Sequence, residues 1–146
     1  MNGLQIKKII AYALDMVYIN TICLKKTNRL FQNDYIRVLN YHEIHGKDLK
    51  NFEYQLKWYL KHFEVIDESK MIAYMRGEKS FIKKPGILLT FDDGFEGNYI
   101  AATKVMKKYV ITGFFFISSD LVGKKGYLSW EQLDEMIQDG NTVGCH

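Results

Sequence analysis

Proline is almost absent from this 146-residue chain: Pro85 is the only one. With 47% hydrophobic residues, that composition excludes collagen-like, low-complexity and disordered chains. Cysteine is scarce as well. Cys23 and Cys145 form no disulfide framework and no cysteine metal cluster, so both are expected to be reduced. No apolar run reaches the roughly 20 residues of a membrane-spanning helix. The run at residues 9–24 is shorter and is broken by Asp15 and Asn20. A strong charge excess is also missing. Twenty Lys and Arg face 17 Asp and Glu, and a net charge of +3 argues against a nucleic-acid partner.

What charge excess there is sits at one end. Residues 1–30 carry +4 through Lys7, Lys8, Lys25, Lys26 and Arg29 against Asp15, and the remainder carries −1. Two readings of this amino-terminal segment stay open. It is a helix packed on the domain with Ile6, Ile9, Ile10, Ala13 and Val17 inward, or an interfacial helix whose lysines meet anionic lipid. No small-residue cleavage site follows it cleanly, so a cleaved signal peptide is the minority reading. The expectation is a helical segment over 1–34 with peripheral membrane contact through residues 1–30, in a cytoplasmic or membrane-peripheral protein. The length suits one further domain, at 35–146.

From residue 35 the pattern alternates between strand and helix. Residues 35–41 read as a strand with Ile36, Val38 and Asn40 on one face. Phe52, Leu56, Tyr59, Leu60 and Phe63 then recur at helical spacing. A short strand near 64–66, a small helix near 69–76 and a charged surface loop at 77–86 follow. Residues 87–91, ILLTF, are a continuous apolar strand of the kind buried on both faces of a parallel sheet. Tyr99, Ala102, Val105, Met106 and Tyr109 mark a helix, and FFFI at 114–117 reads as another fully buried strand. Ser129 and Gln132 predict a capping box for a helix carrying Trp130, Leu133, Met136 and Ile137, stopped by Gly140. Residues 142–145 begin a last strand. This order predicts an α/β fold with parallel strands, as a sheet or barrel.

In such folds chemistry gathers where strands end at their carboxyl edge. Three clusters fall there: Tyr41-His42-Glu43, Asp92-Asp93-Gly94 and His146. Adjacent carboxylates repel, and a divalent cation would bind one and leave the other free as a base. Gly94 would let the backbone turn sharply beside them. The alternative is an aspartate that caps a helix or closes an Asx turn. His146 could complete metal coordination through a neutral imidazole, or simply be exposed. Cys145, on the opposite side of its strand, is expected in the core. His45 reads as a loop residue, and His42 is left open.

These residues together resemble a known family. Thr90-Phe91-Asp92-Asp93-Gly94, Asn98-Tyr99, Gly113 to Ile117, Leu128 to Leu133 and Gly144-Cys145-His146 follow the order of landmarks in polysaccharide deacetylases. These are the NodB-homology enzymes of carbohydrate esterase family four. Tyr41-His42-Glu43-Ile44 and the helix over 48–63 resemble the branch that deacetylates exopolysaccharide such as poly-N-acetylglucosamine. The resemblance covers roughly residues 35–146.

It implies a partial, distorted β/α barrel and metal-dependent hydrolysis of an N-acetyl group on a sugar polymer. Asp92 would be the general base. Asp93 and His146 would be metal ligands, the metal usually zinc and sometimes cobalt or nickel. The partner would be an N-acetylated glycan. The family's second metal-binding histidine and its later acid have no counterpart in these residues. The resemblance therefore implies the amino-terminal portion of a deacetylase, inactive by itself. The competing expectation is a non-catalytic remnant that binds glycan or protein. A phosphotransfer domain would need a lysine at a later strand end and a hydroxyl residue, and FFFI offers neither.

Overall fold

The computed structural model describes residues 6–7, 19–78 and 83–146. The chain divides into two compact units, Met1–Asp34 and Tyr35–His146. In the first, helix α1 spans Ile19–Leu30. Among the described residues no helix is long and apolar enough to cross a membrane. Ile9, Ile10, Ala13 and Val17, the expected inward face, lie outside the described residues. Ile6 is exposed.

The second unit alternates strands and helices: β1 (Ile36–Tyr41), α2 (Leu49–His62), β2 (Glu64–Val65), α3 (Glu68–Met75), β3 (Gly86–Phe91), α4 (Glu96–Ile100), β4 (Phe114–Ile117), α5 (Trp130–Gln138) and β5 (Thr142–Cys145). These five strands pair in parallel, in the order β1-β3-β4-β5, and β2 also pairs with β3. β3 is central because ILLTF can be buried on both faces, and all six of its residues are buried. The α/β fold with parallel strands expected from the sequence is the one observed.

The register ranks side chains across the sheet. Tyr41 pairs with Phe91 and Phe91 with Phe115, so three rings line up on one face. Phe91 stacks on Phe115 at 4.5 Å between centroids and on Tyr41 at 5.3 Å, and Phe52 of α2 meets Tyr41 edge-on. Each such contact adds about 0.5–1.5 kcal/mol beyond area burial. Leu56, Ala101, Ala102, Met106, Leu133 and Met136 close this face into the main core. Asn40, Thr90, Phe114 and Thr142 form the rank on the opposite face.

Several expectations are corrected. FFFI is buried only at alternate positions: Phe115 and Ile117 are buried, while Phe114 and Phe116 are half-buried on the other face of the sheet. The helix after β3 is not regular. α4 passes into a π-helical turn at Ala101–Met106 and a 3-10 turn at Lys107–Tyr109. α5 has the expected capping box between Ser129 and Gln132. Its inward layer is filled by Leu133 and Met136, and Trp130 and Ile137 are exposed. Cys145 is exposed, not in the core, because β5 ends the strand order and its tip has no covering element among the described residues.

Candidate active site

β3 ends at Phe91, but the next residue is still tied to the sheet, since Asp92 N–H donates to Tyr41 O at 2.9 Å. The chain then turns through two successive left-handed residues, Asp93 at φ 70° and Gly94 at φ 77°. An aspartate tolerates that region at a cost of about 1 kcal/mol, whereas at Gly94 a Cβ would also sit 3.1 Å from Ile117 Cγ2. Two contacts hold the turn from outside. The fully buried Asn98 donates from Nδ2 to Asp92 O at 3.3 Å, its Oδ1 having no partner among the described residues. Leu128 N–H donates to Gly94 O at 2.9 Å, and the Phe95 and Tyr127 rings stack beside that bond.

The paired aspartates do not cap the helix that follows. Its N-cap is Phe95, without a side-chain cap. Asp92 instead accepts a hydrogen bond from Asn40 Nδ2 at its Oδ2, at 2.7 Å. Asp93 presents its carboxylate to His146: Oδ1 lies 3.7 Å from Nδ1. The other imidazole nitrogen, Nε2, lies 3.8 Å from Asp92 Oδ2. His146 reaches this position because β5 pairs with β4 and its N–H donates to Ile117 O at 3.0 Å. The side chains of Asp92, Asp93 and His146 are 15%, 29% and 44% exposed, so the cluster opens to solvent while its carboxylates are partly shielded.

The structure thus brings together Asp92, Asp93 and His146 and leaves the third cluster out. Tyr41 points into the core against Phe52 and Phe91, where burial pushes its phenol pKa well up. His42 is exposed, and Glu43 pairs with the loop residue His45 at 3.1 Å. β1 instead contributes Asn40, which sequence reasoning placed on a strand face without a role. The signal for it was the register: Asn40 pairs with Thr90, two residues before Asp92 on the same face.

A carboxylate and a neutral imidazole are suitable donors for zinc, cobalt or nickel. Two donors each about 2.0–2.1 Å from a tetrahedral zinc stand roughly 3.3 Å apart, and the Asp93–His146 separation of 3.7 Å is near that value. The donor chemistry therefore fits a divalent cation. Among the described residues no group of three or more His, Cys, Asp or Glu side chains could hold one.

Fold and site together define a parallel β/α domain with a carboxylate–imidazole cluster at its carboxyl edge. Residues 80–146 match the family model of polysaccharide deacetylases, a family whose members are generally metal-dependent. The chain is 32% identical over 114 residues to YxkH of Bacillus subtilis, a match covering 75% of this chain and 41% of that protein. It is 30% identical over 121 residues to the poly-β-1,6-N-acetyl-D-glucosamine N-deacetylase of Staphylococcus epidermidis, covering 74% and 40%. The solved structure of IcaB from Ammonifex degensii superposes with a TM-score of 0.68 at 29% identity, over 77% of this chain and 53% of that one. The chain spans about two fifths of the length of these curated relatives.

Proposed function

We propose that residues 35–146 supply the base and two metal-binding side chains of a carbohydrate N-deacetylase, which hydrolyses N-acetyl groups on a polysaccharide of the poly-N-acetylglucosamine type. The observation that carries this reading is that His146, from one strand end, lies within 3.8 Å of a carboxylate oxygen of both Asp92 and Asp93, from another. Asp93 and His146 would hold the cation, zinc in this reading, with cobalt or nickel as substitutes. When bound, it supplies positive charge beside the acetyl carbonyl and the oxyanion that forms there.

Asp92, hydrogen-bonded to a neutral amide and not to a cation, is a carboxylate free to take a proton. It accepts one proton from water as the water oxygen bonds to the acetyl carbon. The C–N bond then breaks, giving acetate and the free sugar amine. This reading assigns no residue of 35–146 to protonating that amine, so these residues by themselves are expected to turn over little substrate. The +4 balance of residues 1–30 supports peripheral contact with anionic lipid in the same reading. Sedimentation with anionic but not zwitterionic vesicles tests that contact.

The site assignment is tested by titrating the 15N-labelled chain with zinc and then with a β-1,6-linked N-acetylglucosamine oligomer. Amide resonances of residues 92–94 and 146 are expected to move with each addition, and zinc is expected to stop moving them in Asp93→Asn. Shifts confined to another part of the chain would overturn the assignment.

A further inference from the structure

The two carboxylates of the rim are not equivalent in their surroundings. Asp93 has no hydrogen bond among the described residues, whereas Asp92 Oδ2 receives Asn40 Nδ2 at 2.7 Å. Behind Asn40 stands Thr90, 6% exposed in the central strand. Its Oγ1 lies 3.2 Å from Asn40 Oδ1 and 3.2 Å from Leu39 O, so its one proton is shared between two acceptors. A threonine hydroxyl that donates to one end of the amide turns the other end, the NH2 group, toward Asp92. The relay runs from the sheet interior to the rim, and all three side chains lie on one face because Asn40 and Thr90 are in register.

From this geometry we infer that Asn40 is a positioning residue. It holds Asp92 Oδ2 and thereby leaves Oδ1 as the oxygen presented to the reacting water, and Thr90 sets which end of the Asn40 amide faces the base. The inference rests on the base assignment of Asp92 given above. A carboxylate free to rotate presents either oxygen in many orientations, and one held at a single oxygen presents the other in a narrow range, which is the ordering a proton transfer needs. Asn40 touches neither water nor substrate in this scheme. Its effect passes through Asp92.

The test is spectroscopic and does not require turnover. In the intact chain the Asn40 side-chain amide is expected to show one proton shifted downfield by the carboxylate, with slow solvent exchange. That shift is expected to collapse in Asp92→Asn and to persist in Asp93→Asn. Thr90→Val is expected to speed exchange of the amide by about tenfold or more, and Thr90→Ser, which keeps the hydroxyl, restores it. The carboxyl carbon of Asp92 is expected to move in Thr90→Val and in Asn40→Ala while that of Asp93 stays. If the Asp92 carbon does not move in Thr90→Val, or if Thr90→Ser behaves like Thr90→Val, the inference is overturned. The valine–serine comparison decides the matter even where Asn40→Ala fails to fold. Loss of the zinc and oligomer response with this signature intact would overturn the deacetylase reading and keep the relay; the reverse result would remove only the relay.

Discussion

Oδ1 of Asp93 lies 3.7 Å from Nδ1 of His146, although the two residues follow strands β3 and β5, which are separated in the sheet by β4. The contact spans the width of two strand spacings because Asp93 turns left-handed out of its strand and His146 extends from its own. Affinity for a cation should therefore depend on both side chains. Asp93→Asn and His146→Ala are each expected to weaken zinc binding at least about tenfold, measured by calorimetry. Cys145→Ser is expected to leave it unchanged. Equal zinc binding in all three variants would count against the pair as ligands.

Gly97 lies where helix α4 meets the segment after β1. A Cβ there would come 2.3 Å from Ile44 O, a backbone atom that cannot swing aside. Gly97→Ala is expected to cost more than about 2 kcal/mol, through displacement of the helix. Urea unfolding would show it as a lower midpoint, and a wild-type midpoint would mean that the two segments can separate at little cost.

The three-ring rank concentrates core stability at Phe91, which is fully buried between Tyr41 and Phe115. Phe91→Ala is expected to cost about 3–5 kcal/mol, more than the same change at half-buried Phe116. Denaturant titrations of the two variants compare them directly.

Val110 holds φ 54° with 92% of its surface exposed, a β-branched residue in a conformation that suits glycine. It pays the left-handed cost without recovering burial. Val110→Gly is expected to stabilise the domain by about 0.5–1 kcal/mol, the relief of strain exceeding the added freedom of the unfolded chain. A fall in thermal midpoint would show that the valine makes contacts worth more than its strain.

Glu53 has its pKa lowered from 4.5 to about 2, first by the hydrogen bond from the Tyr109 hydroxyl and then by that from Lys108 Nζ at 2.9 Å. The folded value lies below the unfolded one, so the stabilisation is fully present above pH 4.5. It is lost as pH falls through about 2. Glu53→Gln is expected to flatten the dependence of unfolding free energy on pH across that window and to leave the dependence above pH 5 unchanged. An identical acid slope in both proteins would rule out the contact as a source of acid sensitivity.

Much of the fold was legible because its signals are local. ILLTF reads as a buried central strand from its own composition, and Ser129 with Gln132 reads as a helix start from spacing alone. The paired aspartates were legible for a similar reason: two adjacent carboxylates at the end of an apolar strand carry a repulsion that calls for an explanation wherever the chain goes. Tyr41 and Cys145 were misread. Tyr41 is placed at the rim by its position at a strand end and Cys145 in the core by strand alternation, but neither signal states which face a helix covers or whether a strand tip is covered at all.

The amino-acid sequence by itself determined the order of strands and helices, the capping box and the Asp92-Asp93-Gly94 turn, because each depends on neighbours within a few positions. Only the tertiary structure decided that Asn40 meets Asp92, that Tyr41 turns inward, and that His146 faces both carboxylates. Those contacts depend on which strands lie side by side and in what register. The burial of apolar surface over the whole sheet selects that arrangement, and no short stretch of residues encodes it.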